Sequence, residues 1–136
     1  MKKILTFGVF DYFHLGHLRL FKQCKQHADY LIVAVQNGDN ILTFKPQTKI
    51  YYSTEERVEM LEAIKIVDKV IVYDCICAET LEKIDFDILA LGEDHHAQRH
   101  IDAQEWCRAN GKEVVRLKRT QGISSTDIKK TIEGLK

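Results

Sequence analysis

Phe7–Phe21 reads FGVFDYFHLGHLRLF, and the parsing of this stretch decides the fold. Its first residues complete an apolar, β-rich run, KILTFG (Lys3–Gly8), and its last belong to a segment of helical period, Leu15–His27. Between the two stand His14 and His17, one helical turn apart and separated by Gly16. Leucine would fill a core position there at less cost, because an imidazole leaving water must find hydrogen-bond partners. A buried strand that hands over to a helix through such a turn points to chemistry at the end of the strand.

The same alternation continues along the chain. YLIVAV (Tyr30–Val35), KVIVY (Lys69–Tyr73), DILALG (Asp87–Gly92) and EVVRL (Glu113–Leu117) read as further strands. Several are continuously apolar, as parallel strands covered on both faces should be. Helical segments fall between and after them, at Thr54–Ile66, Ala78–Lys83, Ala97–Asn110 and Ser125–Gly134. Val58, Leu61, Ala63 and Ile64 make one apolar stripe on the second helix. Ser53 or Thr54 can cap that helix with Glu56 in support, and Asn110-Gly111 can close the fourth. One long connection, Gln36–Ser53, holds the only proline, Pro46. A loop of that length is usually functional or mobile.

Five strands alternating with helices predict an α/β fold: a doubly wound, Rossmann-like five-stranded parallel sheet with right-handed crossovers, in one domain spanning residues 1–136. Ligands of such sheets bind beyond the carboxyl ends of the strands, where the strand order switches. Every polar cluster of chemical character should then follow a strand. That is what the sequence shows: Asp11, His14 and His17 follow the first, Lys45 and Lys49 the second, Asp94, His95 and His96 the fourth, and KRTQGISSTDI (Lys118–Ile128) the fifth.

Composition narrows the partners. The 20 Lys and Arg balance the 20 Asp and Glu, so the net charge is zero and a general nucleic-acid coat is excluded. No apolar run approaches the length of a membrane span, and no secretory signal opens the sequence, which predicts a cytoplasmic protein with no membrane partner. Cys24, Cys75, Cys77 and Cys107 are expected as reduced thiols, Cys75 and Cys77 being too close for an ordinary disulfide.

At a helix start, His14 and His17 point the same way, Gly16 keeps the surface low, and unpaired N–H groups favour an anion. Two imidazoles and that terminus suit a phosphate gaining charge in a reaction. The plain alternative is a pair of partly exposed capping histidines. A zinc site is a weaker reading, since helical zinc pairs sit at i and i+4. In RTQGISST, Ser124, Ser125 and Thr126 offer hydroxyls at a second helix start, just after Gly122. An ordinary cap explains them alone, but with Arg119 upstream the two helix starts can hold different phosphates of one triphosphate.

HLGH at His14–His17 and RTQGISST at Arg119–Thr126 together resemble the signatures of the H-x-G-H nucleotidyltransferase superfamily. The second, R-T-x-G-I-S-[ST]-T, is that of its cytidylyltransferases, and the resemblance runs over nearly the whole chain. In size and layout the chain is most similar to small bacterial glycerol-3-phosphate cytidylyltransferases. The resemblance implies a nucleotidyltransferase fold and transfer of CMP from CTP to a small phospho-alcohol, with pyrophosphate released. His14, His17, Arg119 and Lys49 would be catalytic. Gly8, Val9, Phe10, Asp11, Asp94, Thr120, Ser124, Ser125 and Thr126 would bind nucleotide with them, Asp11 holding either the local architecture or the metal-bound nucleotide. Lys45, Lys49, Arg57, Lys65 and His95 would bind the acceptor, with solvated surface charge as the plain alternative for the cations. The expected ion is Mg²⁺, bound through phosphate oxygens with no cage of protein ligands alone. A homodimer is implied, acting in cell-surface polymer synthesis.

The sequence HHAQRHID after Asp94 departs from the aromatic and basic stretch of those relatives, so His95, His96, Arg99 and His100 are either readers of a different head group or solvated residues at a helix start. Two rival functions use the same scaffold: an adenylyltransferase acting with ATP, and a non-catalytic nucleotide-binding module.

Overall fold

The computed structural model describes residues 1–11, 13–38, 51–93 and 95–118. Five strands, β1 (Lys3–Gly8), β2 (Tyr30–Gln36), β3 (Lys69–Tyr73), β4 (Ile88–Gly92) and β5 (Glu113–Leu117), form one sheet in the order β3-β2-β1-β4-β5. Every pairing is parallel; Ile4 stands opposite Leu31 on one side and Ile88 on the other. Helices α1 (Leu15–His27), α2 (Thr54–Glu62), α3 (Ala78–Glu82) and α4 (Gln98–Ala109) cover its two faces. The order reverses between β1 and β4, and the crevice at their carboxyl ends is the switch point expected to hold ligand.

Alternate residues of each central strand supply the two cores. Ile4, Val33, Val35, Ile88 and Ala90 pack with Phe21 and Cys24 of α1 and Leu61 of α2. Leu5, Phe7, Ile32, Ala34 and Leu89 pack with Leu81 of α3 and Ala103 and Cys107 of α4. Burying each leucine-sized side chain contributes about 2 kcal/mol, and burial on both faces explains the unbroken apolar runs.

The expected elements are present with ends that differ by a residue or so, except in α2. That helix stops at Glu62, four residues short, because the chain turns at Leu61–Ile64 and Ile64–Val67 before Asp68 reaches the start of β2. Asp68 accepts from the Leu31 N–H and from Lys25 Nζ at 2.6 Å, which fixes the entry to β3. The expected last helix, Ser125–Gly134, lies outside the described residues.

The cysteine expectation needs correcting. Cys75 and Cys77 are joined in a disulfide, with Cα atoms 5.5 Å apart. The chain leaves β3 and turns into α3 there, and Cys77 is the extended N-cap residue of α3, so the bend brings the two side chains together. Cys24 and Cys107 are free and buried, and burial pushes their thiol pKa up to about 12 and about 11. Among the described residues, no helix is long and apolar enough to cross a membrane.

Candidate active site

The site begins where β1 ends. Phe10 takes a left-handed backbone conformation (φ 55°), which costs a bulky residue about 1–3 kcal/mol and persists only where packing over-determines it. The packing is there: Phe10 is buried and meets the His17 ring edge-on at 5.1 Å and the Phe21 ring at 5.5 Å. Gly8 makes room for this turn, since a Cβ on it would stand 2.5 Å from the tip of the Phe10 ring.

His14 is the N-cap of α1 and His17 its third residue, and the two form a capping box built of imidazoles. His14 Nδ1 accepts from the Gly16 N–H at 3.0 Å, and His17 Nδ1 accepts from the His14 N–H at 3.2 Å. Each Nδ1 acting as an acceptor assigns the ring proton of both histidines to Nε2. The rings stack at 3.9 Å, tilted by 21°. Burial, with a smaller contribution from His14, lowers the His17 pKa to about 4, so this ring is neutral at pH 7. The helix cap and the chemical reading are therefore one arrangement: capping at Nδ1 turns Nε2–H into a donor held in a fixed orientation.

Asp11 and Arg57 brace the turn from behind. The Asp11 carboxylate, 6% exposed, accepts the Tyr51 and Tyr52 N–H groups at 2.8 Å each. Its contacts among the described residues are thus architectural. Arg57 has no exposed surface; its guanidinium donates to the Val9 carbonyl at 2.8 Å, to the Gln36 carbonyl at 2.9 Å and to Thr54 Oγ1 at 3.2 Å. A buried arginine that spans two strand ends is not the exposed acceptor contact expected from the sequence; it reaches the site through backbone carbonyls.

The remaining expected residues fall into three groups. His95 lies at the carboxyl end of β4, where its Nδ1 accepts from the Gly92 N–H at 3.0 Å and its ring stacks on His100 at 4.5 Å. Lys65 lies in the connection entering the amino end of β3, on the edge of the sheet opposite the histidines, so the structure does not bring it to the site. Lys45, Lys49, Asp94, Arg119, Thr120, Ser124, Ser125 and Thr126 lie outside the described residues. Sequence reading missed two contributors. Thr54 accepts from the Gly38 N–H at 3.0 Å as well as from Arg57. Gln23 of α1 holds Lys118 by both backbone groups, at 2.9 and 3.2 Å, immediately before Arg119. The helix that starts with His14 and His17 is in this way tied to the chain leading into RTQGISST. Neither residue carries a motif, and Gly38 and Lys118 lie 16 and 95 residues from them.

Comparison with known proteins decides the family. The Cytidylyltransferase-like family matches residues 5–131. The chain belongs to this family. Its members are nucleotidyltransferases, which fits a pair of neutral N–H donors at a helix start. This cytidylyltransferase-like chain is 38% identical over 137 residues to the glycerol-3-phosphate cytidylyltransferase of Bacillus subtilis (strain 168), covering 99% of this chain and 100% of that one. It is also 35% identical over 118 residues to the FAD synthase of Thermococcus sibiricus (strain DSM 12597 / MM 739), covering 85% of this chain and 79% of the other. The lipopolysaccharide core biosynthesis protein from Thermoplasma volcanium GSS1 superposes with a TM-score of 0.71 over 88% of this chain and 97% of that one; at 24% identity, the likeness concerns the fold.

Proposed function

We propose that the protein transfers a cytidylyl group from CTP to the phosphate of glycerol 3-phosphate or a related polyol phosphate. An oxygen of the acceptor phosphate attacks the α-phosphorus in line, the bond from that phosphorus to the bridging oxygen of the β-phosphate breaks, and pyrophosphate leaves. No protein nucleophile is needed; the chain's contribution is alignment and charge stabilisation. The observation that carries this reading is the imidazole capping box at the end of β1, with both ring protons assigned to Nε2. Neutral donors fixed before the reaction stabilise charge growing on the α-phosphate and the leaving group without taking up a proton.

The backbone of Gly8–Phe10 would face the α-phosphate, and the Ser124–Thr126 hydroxyls and Arg119 would hold the distal phosphates. Lys45, Lys49 and His95 would meet the acceptor. Mg²⁺ would neutralise phosphate charge, bound through phosphate oxygens. A homodimer is part of the proposal, checked by light scattering.

Pyrophosphate release tests the assignment, with CTP and ATP run in parallel over a panel of phospho-alcohols. CTP with glycerol 3-phosphate should give the highest kcat/KM. Preference for ATP would replace it with adenylyl transfer, the second reading, which the similarity to an FAD synthase favours. CTP binding without turnover on any acceptor would leave a nucleotide-binding module.

A further inference from the structure

We infer that Arg57 is a positioning residue that, with Asp11, cross-braces the phosphate-facing turn after β1 to the chain on either side of the long β2–α2 connection. The inference rests on the proposed reaction for its kinetic consequences, though not for its structural ones.

Arg57 is the largest fully buried side chain of the described protein, and it is a cation. Burial lowers its pKa, and the charges of Asp11, Tyr73 and Glu55 act against that. Among the described residues its Nε has no hydrogen-bond partner, so they do not satisfy the group fully. An apolar side chain of similar volume would avoid the desolvation of the guanidinium, and stability alone is a weak reason to bury one. What the guanidinium supplies is a rigid fork. One nitrogen holds the carbonyls of Val9 and Gln36, the residues at the ends of β1 and β2, and the other holds Thr54 Oγ1 at the start of α2.

Asp11 closes the frame from the other side. It grips Tyr51 and Tyr52, the first described residues after the long connection, while Thr54 grips Gly38, the last described residue before it. Lys49 stands two residues from Tyr51 in sequence. Both ends of the segment that carries Lys45 and Lys49 are therefore anchored to one frame, and the same frame holds the Val9 carbonyl next to the strained Phe10. Phe10 in turn packs against His17. A shift of Arg57 reaches the histidine cap through Val9 and Phe10, and it reaches Gly38 through Thr54. Misplacement of about 1 Å in such a frame can cost about a hundredfold in rate.

Arg57→Met and Arg57→Lys test this, each checked for cooperative thermal unfolding. Both should fold with a lowered Tm. With CTP and glycerol 3-phosphate, kcat should fall by about tenfold or more in both, while KM for CTP changes by less than about threefold. Lysine should not restore the rate, because one ammonium cannot reproduce the fork. In the ligand-free variants, hydrogen exchange of the His14 and Gly16 amides should quicken by about tenfold relative to the β5 amides, a local loosening that uniform destabilisation would not produce. A folded variant with wild-type kcat, full recovery of rate in Arg57→Lys, or unchanged exchange at the two cap amides would overturn the inference. If Arg57→Met fails to fold, Arg57→Lys carries the same readouts. If the wild-type protein does not turn over CTP, the proposed function fails, and the exchange measurement still decides the brace.

Discussion

The turns after β1 and β4 lie side by side at the switch point, and each leads into a helix with a stacked pair of histidines put to a different use. In the first, the Nδ1 atoms of His14 and His17 accept the amides at the start of α1, so the rings are locked with their protons on Nε2. In the second, His95 folds back onto the end of its own strand, and His100 is buried within α4. Arg116 of β5 reinforces that turn by donating to the carbonyls of Gly92 and His95. Moreover, the N-cap residue of α4, Ala97, gives no side-chain cap, whereas α1 is capped by its histidines. Two neighbouring imidazoles are thus not a site in themselves. His95 also accepts a backbone amide at Nδ1, so what separates the pairs is the second ring: His17 caps the start of α1 beside His14, whereas His100 is buried within α4.

The sharpest break in this contrast comes from truncating the rings. His14→Ala and His17→Ala should each lower the rate of pyrophosphate release by about a hundred- to a thousandfold, as loss of a fixed oxyanion-type donor does. Stability should fall by only about 1 kcal/mol, the worth of a helix cap, read by denaturant unfolding. Equal losses of rate from His100→Ala would erase the distinction between the two turns. That variant should instead act on stability, costing about 2 kcal/mol for the cavity left by a side chain that is 7% exposed, with kcat changed only a few-fold.

A smaller effect follows from the pKa of His17. The folded-state value, about 4, lies below the ordinary 6.5, so between the two the unfolded chain binds more protons. The stability from keeping this ring neutral is complete above pH 6.5 and is lost as pH falls towards 4. Allowing for partial exposure, the loss is about 1–2 kcal/mol. Unfolding of His17→Gln across that range should show a shallower fall than the parent protein. The smallest change expected is a gain. Ala97 has nearly the backbone geometry of Ser53, the capped start of α2 (φ −61°, ψ 151° against φ −64°, ψ 166°). Ala97→Ser should therefore stabilise α4 by about 0.5–1 kcal/mol without altering kcat, as thermal unfolding and turnover can check.

The fold was legible because parallel strands buried on both faces leave continuous apolar runs, and β1, β2 and β4 show them plainly. The histidine pair was legible because both partners of each cap bond lie within one helical turn. What escaped were contacts between distant segments. Arg57 reads as an acceptor contact or a solvated surface charge until the ends of β1 and β2, 48 and 21 residues away, are seen to meet it. Lys65 reads as a ligand for phosphate until topology puts it at the amino edge. Gln23 carries no signal at all, since its partner is the backbone of Lys118. Cys75 and Cys77 were misjudged by applying a spacing rule where the chain bends sharply between strand and helix.

The most direct test is a ¹⁵N spectrum of the histidine side chains at pH 7, recorded without CTP and with CTP at concentrations that support turnover. Neutral rings protonated on Nε2 at His14 and His17, both shifting on addition of CTP while His100 stays in place, is the predicted result. A charged His17 ring, or a pair that does not respond to the nucleotide, would contradict the account.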